Sequence, residues 1–321
     1  MSIGRKVWLI VGVSLIILGL IIFAAAMTAN KWDFTKLSTV KFETNTYSVS
    51  DEFDSIAIQT DTADIIFVPT DDGICRVVCY EEENIKHSVA VQNNILTIQV
   101  VDKRAWYEYI GITYGTPKIT VYLPQREYTS LHINESTGDV ELPKEFTFGS
   151  IDISASTGDV KCHASTSDLI KIKLNTGDIN VENISAGALD LTVSTGKVTA
   201  KSIVCNGDIN INVSTGKTYL TDVKCESIIS NGSTGDISLK NVIAEKQFSI
   251  KRNTGDVMFE GCDAAEIHIE TSTGAVKGSL MSSKVFIVES DTGRVNVPKT
   301  VTGGRCEITT DTGDIKISIL N

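Results

Sequence analysis

The chain has 321 residues, 42% of them hydrophobic and 7% aromatic, with a net charge of −11 from 29 basic against 40 acidic residues. That balance excludes a nucleic-acid binder, which needs clustered Lys and Arg to meet phosphates, while the length is ample for a packed core. Seven cysteines, an odd number with no Cys-x-x-Cys or Cys-x-x-His spacing, leave a structural zinc motif nothing to rest on.

Residues 1–30 open the chain with a membrane signal. From Val7 to Met27 there is no charge, Arg5 and Lys6 precede the run, and no acidic residue occurs before Lys31. About 20 apolar residues suffice to cross a bilayer as a helix, and the positive-inside bias keeps the basic end cytoplasmic. The expectation is a single-pass plasma-membrane protein with a cytoplasmic N-terminus and everything from about residue 31 extracytoplasmic. A cleaved secretory signal using Ala24-Ala25-Ala26 is the competing reading, and it too exports the remainder. Residues 31–50 read as a polar spacer.

Residues 51–130 alternate apolar and polar in the manner of strands: Ile56 and Ile58, Ile65 and Phe67, Val89 and Val91, Leu96, Ile98 and Val100, then Ile119, Val121 and Leu123 before Pro124. Thr62-Ala63-Asp64-Ile65 resembles a degenerate version of the corner described next. The segment is expected to cap the N-terminal end of the repeats that follow. Its aromatic cluster, Trp106, Tyr107, Tyr109 and Tyr114, is either a plug packed on that end or a partner-binding epitope.

Residues 131–321 are periodic. A short polar residue, Thr and Gly recur ten times, at Gly138, Gly158, Gly177, Gly196, Gly216, Gly235, Gly255, Gly274, Gly293 and Gly313, spaced 19 or 20 apart. Counting from each glycine, apolar residues stand at −7 and −5, +2 and +4, and near +7 and +9, as in Leu189, Leu191, Val198, Ala200, Ile203 and Cys205 around Gly196. Alternation of period two, broken by glycine corners at a fixed interval, predicts an all-β chain wound as a single-chain β-solenoid of about ten coils, a rod on the order of 50 Å long. A small column at +9 (Ala186, Cys205, Cys225, Ala244, Ala264, Ser283) marks a tight corner, and the cysteines in it are expected as stacked free thiols.

The pattern Phe53-x-x-Ile56-x-Ile58, the run to Ile119-x-Val121-x-Leu123-Pro124, and Leu131-x-Ile133 leading into repeated Thr-Gly-Asp-Val corners resemble the bacterial putative-adhesin family of β-strand-repeat proteins, a domain of unknown function. The resemblance spans residues 50–321. A LiaG-like branch of that family, associated with envelope-stress operons of Gram-positive bacteria, shares the single N-terminal helix and exported repeats. The resemblance implies a β-solenoid and supplies no catalytic residue.

Asp follows the corner glycine at Asp139, Asp159, Asp178, Asp236, Asp256 and Asp314, while Lys197, Lys217, Ala275 and Arg294 interrupt the column. A carboxylate ladder could bridge Ca²⁺, but the nine-residue, paired-glycine repeats of calcium-binding β-helices are absent, so the column reads as solvated and turn-capping. The histidines His87, His132, His163 and His268 each sit alone between strand-like residues, and no hydrolase, zinc-protease or phosphate-loop motif occurs. No metal or cofactor is expected. The functional expectation is a non-enzymatic cell-surface interaction module that meets an envelope protein or a wall component. An accessory of an envelope-stress response is the alternative, and a carbohydrate-active enzyme the third class.

Overall fold

The computed structural model describes residues 3–33, 40–104 and 115–320. Among them are one helix, Ile3–Ala29, and 25 strands joined in a single sheet that winds into coils. The helix holds 27 residues, about 40 Å at 1.5 Å per residue, and its apolar window is fully unburied. Length and composition are therefore those of a bilayer-crossing helix.

The coils stack in parallel register. Leu189 and Leu191 stand over Ile209 and Ile211, and Val198, Ala200 and Ile203 over Thr218, Leu220 and Val223. Every one of these residues is buried. One side of each strand thus fills a continuous core, and the other side faces solvent, as the period-two pattern requires. The small column is buried from Ala186 to Ala264, with Ala186 over Cys205 and Cys225 over Ala244, and half-buried at Ser283. All seven cysteines are buried free thiols.

At the Thr-Gly corner the backbones nearly touch. Gly216 has φ of +143°, and a Cβ built on it would lie 1.7 Å from the Gly196 carbonyl oxygen. The same approach recurs along the column, from Gly138 against the Ala63 oxygen to Gly293 against that of Gly313. Glycine is needed there for two reasons at once, a left-handed φ and the absence of a side chain between coils. A second corner, six residues on, has no glycine signature in most coils. Asn183, Ser202, Asp222, Asn241 and Gly261 form it, each with φ between +52° and +61°. Asn and Asp tolerate that conformation because their side chains bond locally, and Asn241 Nδ2 donates to Asp222 Oδ1 of the preceding coil at 2.9 Å.

Both ends depart from simple chain order. At the C-terminal end, the strand Gly304–Thr312 lies between Val257–Thr273 and Lys284–Ser290, so the last coil in sequence is the penultimate one in space. Lys284, opposite Gly304 in register, reaches past it to Asp263 Oδ1 at 2.6 Å and is buried. At the N-terminal end, Ser55–Thr62 and Asp64–Thr70 form a coil that stacks on Glu127–Thr137 and Val140–Leu142. Beyond it, on the outer side, lie Ile95–Asp102 and Lys118–Pro124, then Ile85–Gln92 and Cys75–Glu82 in antiparallel pairing. Residues 103–117 join the first two of these strands where other coils have Thr-Gly. Ala63 therefore has no Thr-Gly corner on its outer side.

Replacing Gly216 by Ala is expected to destabilise the chain by about 3 kcal/mol or more, through left-handed strain together with a backbone clash. Lys217→Ala, which removes only an exposed ion pair to Asp236, should stay within about 0.5 kcal/mol. Equal urea midpoints for the two variants would contradict the stacking account.

Candidate functional site

The Asp column comes together as a ladder with a specific occupation. Asp139 Oδ1 accepts the Asp159 N–H at 2.8 Å, Asp159 Oδ1 that of Asp178 at 2.8 Å, and Asp178 Oδ1 that of Lys197 at 2.8 Å. Asp236, Asp256 and Asp314 do the same for Asp256, Ala275 and Arg294. The interrupting lysines add countercharge, Lys197 Nζ lying 3.0 Å from Asp178 and Lys217 Nζ 3.1 Å from Asp236. The backbone N–H of Asp256, and then Lys217, hold the Asp236 carboxyl below the usual carboxylate range. These carboxylates cap the next coil, and one oxygen of each is committed to that bond.

Trp106, Tyr107 and Tyr109 and Tyr114, the candidate epitope, lie outside the described residues. The described residues nearest to them in sequence, Arg104 and Gly115, line a cavity beside a buried polar cluster. Contrary to the reading of every histidine as isolated, His87 pairs with Glu81 across the turn at Glu83 and Asn84. His87 Nδ1 lies 2.7 Å from Glu81 Oε2, which also accepts the His87 backbone N–H at 2.7 Å. The other ring nitrogen, Nε2, is 2.9 Å from Thr60 Oγ1. Asn45 Nδ2 donates to Glu81 Oε1 at 2.7 Å, and Tyr47 OH to the His87 carbonyl at 2.9 Å. Glu81, His87 and Thr60 are each less than 5% exposed.

The backbone explains how the ring reaches Thr60. Strand Ile95–Asp102 pairs with Ser55–Thr62 only as far as Gln99 opposite Gln59 and then diverges. The gap is a cavity of about 220 Å³ lined by Asp61, Thr62, Glu81, His87, Val100 and Arg104, among others. On the next coil inward, Glu135 stands opposite Thr60 in register. It occupies the column that holds Ala155, Leu174 and Val193 farther along, and neither carboxylate oxygen has a partner. Burial first, then the charges of Asp64 and Asp139, push its pKa up to about 8. The same column later carries Arg252, buried with no carboxylate partner among the described residues and donating to Ser230 Oγ at 2.9 Å. Its guanidinium lies beside Gly232, where a Cβ would meet Nη1 at 2.3 Å. Burial pushes Arg252 down to about 10.

Chemically the cap offers a polarised Glu-His-Thr chain, a nearby thiol and an adjacent cavity, whereas the repeats offer flat ladder faces. Comparison with known proteins places the fold: the model of DUF4097, the Toastrack family, matches residues 53–213 and 198–321. The chain belongs to the Toastrack family. Proteins of known structure that it is similar to include a putative adhesin from Bacteroides fragilis, 16% identical over 87% of this chain and 97% of that one, with a TM-score of 0.40. Another is a putative adhesin from Parabacteroides merdae, 12% identical over 88% and 97%, with a TM-score of 0.46. A third is a putative lipid binding protein from Parabacteroides distasonis, 14% identical over 74% and 94%, with a TM-score of 0.46. Among proteins of curated function none matches this Toastrack chain.

Glu135 gives the first coil of the repeats a pH dependence. Its folded pKa, about 8, lies above the unfolded value near 4.5, so between those two the folded chain keeps a proton that the unfolded chain has lost. Stability is therefore expected to fall as pH rises through that window, by on the order of 3–5 kcal/mol for this group. Urea titrations at pH 5 and pH 8 should show the fall in the native chain and a flatter profile in Glu135→Gln; identical slopes would contradict the assignment.

Proposed function

We propose that this Toastrack chain is a membrane-anchored, extracytoplasmic interaction module that binds through its solenoid faces and catalyses nothing. The observation that carries the reading is the in-register repetition of exposed side chains. The corner threonines align from Thr137 through Thr157, Thr176, Thr195, Thr215, Thr234 and Thr254 to Thr273 and Thr312. Such a face presents the same polar groups at intervals of about 4.8 Å, suited to an extended envelope protein or wall component rather than a small substrate. Among the described residues of the repeats, acid and base groups meet in a depression at Glu266, His268, Arg305 and Glu307, where His268 lies 3.5 Å from Glu307 on an exposed strand face. The short corners raise no wall around it of the kind a glycosidase cleft needs.

Topology supports the same reading. Arg5 and Lys6 before an apolar helix favour a cytoplasmic N-terminus, with the helix retained as the anchor. Protease treatment of intact cells, with the outer wall made permeable, is expected to remove the repeats and leave the helix in the membrane. Repeats protected in intact cells and digested only after lysis would overturn the orientation, and a mature N-terminus near Met27 would make the helix a signal.

Full-length protein in detergent is expected to leave wall glycan and wall peptides unchanged while sedimenting with isolated wall or membrane fractions. Turnover that disappears with one carboxylate substitution would reverse the non-enzymatic reading.

A further inference from the structure

Three side chains of different donor chemistry converge in the N-terminal cap. Cys79 Sγ, a Glu81 carboxylate oxygen and a His87 ring nitrogen lie within 4.8 Å of one another, and all three residues are buried. We propose that they form a binding site for a borderline transition-metal ion, Zn²⁺ being the expected occupant, with a fourth coordination position facing the adjacent cavity.

The donor set selects the metal. Thiolate and imidazole suit Zn²⁺ and its neighbours in the first transition row, whereas Ca²⁺ and Mg²⁺ require a shell of oxygens that this cluster lacks. Charge fits as well. A divalent ion held by one thiolate, one carboxylate and one neutral imidazole is net neutral, so the complex places no net charge in a buried site.

The outer partners of the ligands are already in place. With Nδ1 on the metal, where Glu81 Oε2 now lies 2.7 Å away, Nε2 carries the ring proton and donates it to Thr60 Oγ1 at 2.9 Å. Asn45 holds the other carboxylate oxygen at 2.7 Å. Metal-ligating histidines depend on such a bond at their second nitrogen to fix ring and tautomer. Cys162, Cys205, Cys225 and Cys262 set their sulfurs against backbone carbonyls, whereas Cys79 Sγ, like those of Cys75 and Cys306, has no hydrogen-bond partner among the described residues, and it alone of these three stands beside a carboxylate and an imidazole. Its surroundings within the cluster are Glu81 and His87. Drawing the three donors onto one ion at bond lengths of about 2.0–2.3 Å takes side-chain shifts of about an ångström. The thiol proton leaves to solvent, and the ring proton moves from Nδ1 to Nε2. Glu81 and His87 also line the cavity of about 220 Å³, leaving room for a water or a small ligand in the fourth position.

The test uses full-length protein in detergent, stripped with a chelator, incubated separately with Zn²⁺, Co²⁺ or Ca²⁺, and freed of excess ion by gel filtration. Retention of one Zn²⁺ per chain is expected, with a thiolate-to-cobalt charge-transfer band in the Co²⁺ form and no retained Ca²⁺. Cys79→Ser should abolish that band and lower Zn²⁺ retention at least about ten-fold. Cys75→Ser, which changes a buried thiol on the same strand face outside the cluster, should keep both. Failure of the native chain to retain Zn²⁺, a Co²⁺ spectrum without the thiolate band, or equal behaviour of the two cysteine variants would overturn the site. Should Cys79→Ser not fold, the native Co²⁺ spectrum and the loss of Zn²⁺ in His87→Gln decide the matter, and retention unaffected by His87→Gln overturns it.

Discussion

The whole solenoid depends on one close contact, the carbonyl oxygen of a corner residue sitting where the Cβ of the next coil's corner would be. At Gly216 that space is already filled by Gly196 oxygen, 1.7 Å from the missing carbon. Glycine is thus the only residue that lets successive coils approach to strand spacing at this edge. The constraint explains the period. An insertion at that corner would lift one coil off the next, and the ten glycines from Gly138 to Gly313 keep to spacings of 19 or 20. It also explains the exception: Ala63 is tolerated at a corner position because its outer neighbour is not a Thr-Gly turn, the Asp64 N–H instead bonding the Pro117 carbonyl.

Much of this was legible in the sequence because the physics repeats. Leu189, Ile209 and Ile228 fall in one apolar column and do so in space. The second corner was less visible, since Asn183, Ser202, Asp222, Asn241 and Gly261 share a backbone conformation rather than a residue type. The exchange of the last two coils left no trace at all. Gly274, Gly293 and Gly313 are evenly spaced whichever of the last two lies outermost, and only pairing across coils reveals the order.

The polar interior follows a similar division. Glu135 and Arg252 both stand three residues before a corner glycine, where Ala155, Leu174, Val193 and Val213 are apolar, so column comparison alone exposes them as misfits. The cap cluster offered no such column. Cys79 and Glu81 come from one strand, His87 from the next, and Thr60 from a coil on the far side of a diverging strand, an assembly that spacing along the chain does not encode. The Asp ladder lay between these cases: its alignment was readable, but its commitment to the N–H groups of the neighbouring coil depends on side-chain direction.

The interchange at the C-terminal end changes how the rod can come apart. A simple solenoid frays from its last coil, because the free chain end peels away one strand at a time. Here the strand Ile315–Ile319 is sandwiched between Val276–Leu280 and Val295–Asn296, while the outermost coil, residues 284–297, is tethered at both of its ends. Opening the outermost coil means lifting a segment held by chain on both sides, and the buried Lys284 to Asp263 bridge spans the inserted coil. During synthesis the same arrangement means that the final two coils settle together, since residues 284–297 have no neighbour to dock on until residues 304–319 have emerged.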